Sequence, residues 1–74
     1  WRVMDAVHVG ATIRAERARR NLTQAELAEA TGIAQTTIAG YERGKSGMSF
    51  ENALALAEFF GMGLDEFSGR APRQ

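Results

Sequence analysis

LTQAELAEATGIAQTTIAGYERGKS, residues 22–46, decides the fold. Thr23-Gln24-Ala25-Glu26 has the form of a capping box. A Thr hydroxyl accepts from the backbone N–H three residues on, and Glu26 reaches back to the N–H of Thr23. Leu27 and Ala28 follow on one face, with Ala25 and Ala30 as small helix formers. Thr31-Gly32 stops this helix, because Gly takes the left-handed conformation of a C-terminal cap. Ile33 is the apolar residue just past the stop. A second helix starts at Gln35, sets Ile38 and Tyr41 three apart on an inner face, and leaves Gln35, Thr36, Ala39 and Gly40 outside. Gly44 ends it, and Lys45-Ser46 follow.

Around this core the chain has 74 residues, one domain or part of one. A domain so small buries only about 60% of its unfolded surface, so it needs an efficient core, a staple or a partner. Cysteine is absent, which excludes disulfides and thiolate metal sites. His8 is the sole histidine, so no metal site and no cofactor are expected. No apolar run approaches the roughly 20 residues that span a bilayer, and nothing reads as a secretory signal. No paired carboxylates or nucleophile–base set is present, so no catalytic residue is expected and the chain is not read as an enzyme. The net charge is zero, which weighs against a nucleic-acid binder. The distribution partly answers this. Residues 1–20 hold Arg2, Arg14, Arg17, Arg19 and Arg20 against Asp5 and Glu16, whereas residues 49–74 are net acidic.

Outward from the core stretch, residues 1–8 (WRVMDAVH) read as an N-terminal arm or a cloning remnant, or as an extension of the first helix with Asp5 as its N-cap. Val9 to Arg20 reads as helix one, with Val9 and Ile13 on one face and Gly10 and Ala11 allowing a close neighbour. Helix four is expected from Ser49, its cap, to Phe60. Phe50, Ala53, Leu54, Ala57 and Phe60 are expected on its core face, with Leu56 beside them and Phe59 off the stripe. Gly61 and Gly63 close it. Leu64 to Phe67 forms one more turn, with Leu64 and Phe67 closing the core. Met4, Met48 and Met62 read as core fillers. Residues 9–68 are thus the domain and residues 69–74 a linker or disordered tail. No stretch alternates long enough to make a strand.

At Leu22-Thr23-Gln24, Glu26-Leu27-Ala28, Gly32-Ile33, Gln35-Thr36-Thr37-Ile38 and Tyr41-Glu42-Arg43-Gly44-Lys45-Ser46, the chain resembles the helix-turn-helix of the phage-repressor and Cro-like (XRE) family of DNA-binding proteins. The similarity runs over roughly residues 9–67. It implies an all-α fold, a compact five-helix lambda-repressor-like domain. It also implies a cytoplasmic protein, bacterial or phage-encoded, without membrane association.

The resemblance sets the roles. Gln35, Thr36, Ala39 and Gly40 are the expected base-reading positions on the recognition helix. Gln binds adenine N6 and N7 together, and Thr offers a hydroxyl and a methyl suited to thymine. Gly40 stands where the family often has a longer side chain, and Ala34 where it tends to have a capping Ser or Thr. Thr23, Gln24, Thr37, Arg43, Lys45 and Ser46 are the expected backbone contacts, which position without specifying sequence. Gln24 is further expected to brace Gln35. Arg17 and Glu42 match the family's structural ion pair.

Double-stranded DNA is therefore the expected partner, bound by a homodimer that represses transcription. Phe59, the Leu64–Phe67 turn and the Trp1–Val7 arm are the candidate dimer contacts. The alternative is a protein-interaction module on the same fold, an antitoxin or a module bound by a toxin or anti-repressor, with or without DNA binding. Two other readings fall. The run from Gly40 to Ser46 is one residue short of a phosphate-binding P-loop and lacks a preceding strand. His8 and Asp5 have no nucleophile near them.

Overall fold

A carboxylate starts the fold. Asp5 is extended, and its Oδ1 accepts from the backbone N–H groups of Val7 and His8 at 3.0 and 3.1 Å. In the computed structural model of the chain, which describes residues 5–45 and 47–69, helix α1 spans Ala6–Arg19. Of the readings of residues 1–8, the extension of the first helix with Asp5 as its N-cap therefore holds for residues 5–8, and the start expected at Val9 moves back: Ala6, Val7 and His8 are the first turn of α1. Trp1 to Met4, the rest of the expected arm, lie outside the described residues. At its other end α1 is closed by Asn21 in the left-handed region (φ 57°), with Asn21 N–H bonded to Ala18 and Leu22 N–H to Arg17.

Thr23 caps α2, Gln24–Thr31, through the full capping box: Glu26 N–H donates to Thr23 Oγ1 at 3.0 Å, and Thr23 N–H to Glu26 Oε1 at 2.8 Å. Gly32 (φ 76°) ends it. After a short turn comes α3, Gln35–Glu42, whose N-cap Ala34 supplies no side-chain bond. Its end is a Schellman motif. Gly44 takes φ 71° and bonds to Tyr41 O, and Lys45 N–H bonds back to Gly40 O. Ser49 caps α4, Phe50–Phe60, by accepting from Asn52 N–H at 3.1 Å, and left-handed Gly61 stops it. Gly63 precedes α5, Leu64–Ser68, capped by Gly69. Residues 70–74 of the expected tail lie outside the described residues. The described chain is all-α, as expected, and five-helical.

The core draws one stripe from each helix: Val9 and Ile13, Leu27, Ile38 and Tyr41, then Ala53, Leu56, Ala57 and Phe60, with Phe67 sealed beneath. Ile33 in the turn joins them, and Met48 and Met62 pack half-buried against it. Met4 is outside the described residues.

Two expectations on α4 are corrected. Phe50 and Leu54 are 54% and 39% exposed, whereas Leu56 is wholly buried. Residues 53, 56, 57 and 60 define the buried stripe, and at about 100° per residue Leu54 falls more than a quarter-turn from its middle. Phe67, named as a dimer candidate, is fully buried. Phe59 keeps 38% exposure and Val7 72%.

Helices α1 and α3 meet backbone to backbone. A Cβ added at Gly10 would overlap the carbonyl oxygen of Tyr41 and lie 3.0 Å from that of Glu42. The first and last helices also meet, through Asp5 N–H and Ser68 O at 3.5 Å.

Candidate nucleic-acid interface

The interface is built on a buried carboxylate. Glu42 ends α3 with only 5% of its surface exposed. Arg17 of α1 meets it side-on, Nε to Oε2 at 2.8 Å and Nη2 to Oε1 at 3.1 Å. A third guanidinium N–H, on Nη1, donates to Leu22 O at 2.9 Å. The hydrogen bond that Arg17 donates to Glu42, together with the negative charge of that carboxylate, raises the Arg17 pKa further, although burial opposes it. Gln24 adds its amide, Nε2 to Glu42 Oε1 at 3.0 Å. One carboxylate thus holds α1, the first helix of the motif and the recognition helix in one arrangement. The pair expected between Arg17 and Glu42 is present. Gln24, however, turns its amide to Glu42 rather than bracing Gln35.

At the opposite end of α3, Gln35 and Thr36 are exposed, and neither side chain hydrogen-bonds to any described residue. Thr37 and Ala39 are half-buried. Gly40 is buried, which corrects its expected place on the outer face. The Schellman turn folds back here, and the Lys45 N–H covers the Gly40 carbonyl at 3.2 Å. The exposed side chains of α3 are therefore concentrated in its first turn. Arg43 and Lys45 are exposed at the other end. Thr23 is exposed, with its hydroxyl oxygen already accepting from Glu26. Ser46 lies outside the described residues.

Three of the four arginines of α1 and its C-cap meet carboxylates within the fold. Arg19 and Arg20 both pair with Glu16, at 3.0 and 2.7 Å. Arg20 also donates to Phe60 O at 3.0 Å and lies 5.0 Å over the Phe60 ring. Among the described residues, only Arg14, Arg43 and Lys45 are cations without a carboxylate partner. Arg14 donates through Nη1 to the main-chain oxygen of Glu42, which brings it to the same end of α3 as the other two.

Two supporting contacts are new. One is that Arg14 bond. The other joins Asn52 of α4 to the recognition helix, Nδ2 to Tyr41 Oη at 2.8 Å. No sequence signal announces the second, because eleven positions and a loop separate the partners.

The chain has known relatives. The helix-turn-helix family profile matches residues 13–67, and the chain belongs to this family, in its phage-repressor and Cro-like (XRE) branch. A curated relative is the uncharacterized HTH-type transcriptional regulator MJ0272 of Methanocaldococcus jannaschii. It is 40% identical over 50 residues, covering 68% of this chain and 76% of that protein. No solved structure gives a significant match. Among the described residues, no helix is long and apolar enough to cross a membrane.

Proposed function

We propose that the chain is a sequence-specific regulator of transcription, a repressor, that binds operator half-sites as a dimer through the major groove of double-stranded DNA. The observation that carries the reading is the polarity of α3. Ile38, Tyr41 and Glu42 are buried beneath it, while Gln35 and Thr36 stand exposed and unbonded in its first turn. That turn is where this docking mode makes its base contacts. Gln35 supplies a bidentate amide for adenine, and Thr36 a methyl for thymine. Arg43 and Lys45 supply phosphate contacts at the far end. Similarity to the Methanocaldococcus jannaschii protein, an HTH-type transcriptional regulator by name, supports the same reading.

One recognition helix covers few base pairs, so two half-sites about 34 Å apart are the efficient arrangement. Among the described residues the exposed large apolar side chains are Val7, Phe50, Leu54 and Phe59, and Phe59 and Val7 are the ones we assign to pairing two copies. The zero net charge favours a second reading, a protein-interaction module of the antitoxin kind.

Duplexes selected from a random library, followed by electrophoretic mobility, test the first reading against the second. Gln35→Ala is expected to lose about 1–3 kcal/mol of discrimination at one or two positions. Lys45→Ala is expected to weaken all sequences alike. Absence of binding to any duplex at low salt hands the assignment to the interaction module.

A further inference from the structure

The arginines of α1 and its C-cap divide into two kinds. Arg17 meets the carboxylate of Glu42, and Arg19 and Arg20 share that of Glu16, so all three guanidinium groups are engaged by carboxylates and two of their three charges are offset. Arg14 is exposed, and it bonds to a main-chain carbonyl, that of Glu42. A carbonyl orients a guanidinium without cancelling its charge. One N–H is used, and the other four donors of the planar fork make no bond to a described residue. The held position is the last carbonyl of α3, next to Arg43, and Lys45 is two residues beyond Arg43.

We infer that Arg14 is a DNA-phosphate contact supplied from outside the helix-turn-helix, acting with Arg43 and Lys45 as one cationic clamp at the C-terminal end of the recognition helix. This rests on the function proposed above and adds a residue to its surface. The ligand is a phosphodiester oxygen, recognised by a guanidinium whose fork matches its geometry. The bond to Glu42 O holds the side chain in advance, so less rotamer freedom is lost on binding. The neighbouring acidic group, Glu42, is already paired with Arg17 and does not compete for Arg14.

The test is fluorescence anisotropy of the full chain with a library-selected duplex and a random duplex, over a salt series. Arg14→Gln is expected to weaken both duplexes by the same factor, about fivefold at physiological salt, and to flatten the slope of log affinity against log salt by about 0.9 per bound copy. Arg14→Lys is expected to keep most of the slope, because the charge remains. A purely structural role at the end of α3 would lower the thermal midpoint and leave the slope unchanged; that result overturns the inference while DNA binding stands. A wild-type chain that binds no duplex at low salt overturns the function and the inference together.

Discussion

Arg17 and Glu42 lie 25 positions apart and meet through two parallel hydrogen bonds, Nε–Oε2 at 2.8 Å and Nη2–Oε1 at 3.1 Å. The carboxylate is buried, so its partner cannot be withdrawn and replaced by water at no cost. Arg17→Met leaves Glu42 with one side-chain donor, Gln24. Removing one member of such a pair costs about 3 kcal/mol or more, which is most of what a core this size supplies. Urea denaturation is expected to find the variant's midpoint strongly lowered, with little folded baseline left. Arg17→Lys is expected to recover only part, since an ammonium is a point charge and lacks the fork. A Met variant with an unshifted midpoint would remove Glu42 from the centre of this account.

Gly10 reverses an ordinary expectation. Within an exposed helix, Gly→Ala stabilises by roughly 0.5–1 kcal/mol. Here the new methyl would overlap the Tyr41 carbonyl, which is backbone and cannot swing aside. Gly10→Ala is therefore expected to destabilise by about 1–3 kcal/mol or more. Circular dichroism melting gives the sign directly, and a raised midpoint would mean that α1 and α3 are not packed this closely.

Tyr41→Phe isolates the link between α4 and the recognition helix. The ring stays in the core, but the Asn52 amide loses its acceptor at 2.8 Å. The expected loss is about 1 kcal/mol. Asn52→Ala combined with Tyr41→Phe should cost less than the sum of the two single changes, since the second removes a group already unpartnered. Strict additivity in chemical denaturation would show that the bond contributes nothing.

Acid should weaken the join between α1 and α4. The hydrogen bond from Arg20 holds the Glu16 carboxyl below its ordinary value of 4.5, aided by the charges of Arg19 and Arg20 and opposed by burial. The folded chain thus binds this proton less readily than the unfolded chain. The resulting stability is fully present above the ordinary carboxyl range and fades as pH falls through the folded value. Glu16→Gln lacks this contribution at every pH. The gap in stability between wild type and variant should be constant near neutrality and close below about pH 4; a gap independent of pH down to 2 contradicts the assignment.

Local signals were the most legible part of this fold. The Thr23–Glu26 capping box, the Gly32 and Gly61 stops and the Ser49 cap each depend on residues within a few positions, so the sequence contains everything they require. The Arg17–Glu42 pair was legible through family resemblance, not through spacing. What the sequence left unread depends on rotation and approach. Leu54 and Leu56 are equally apolar, and only the docking of α4 decides which is buried. Gly40 looked exposed by helical angle, but the turn after α3 returns over its carbonyl. Gln24 had two polar residues to choose from, and the buried charge of Glu42 offers its amide the stronger acceptor. Asn52 carried no signal because its partner is set by tertiary packing alone.

The meeting of Asp5 with Ser68 makes the described polypeptide almost a closed loop. A peptide of a few residues would suffice to join those two points, and fresh ends could then be opened at the exposed Gly61–Gly63 bend without interrupting any helix. Such a permuted chain would keep every contact at Glu42, with α5 now synthesised ahead of α1. The architecture thus depends on which surfaces touch, and little on where the thread begins.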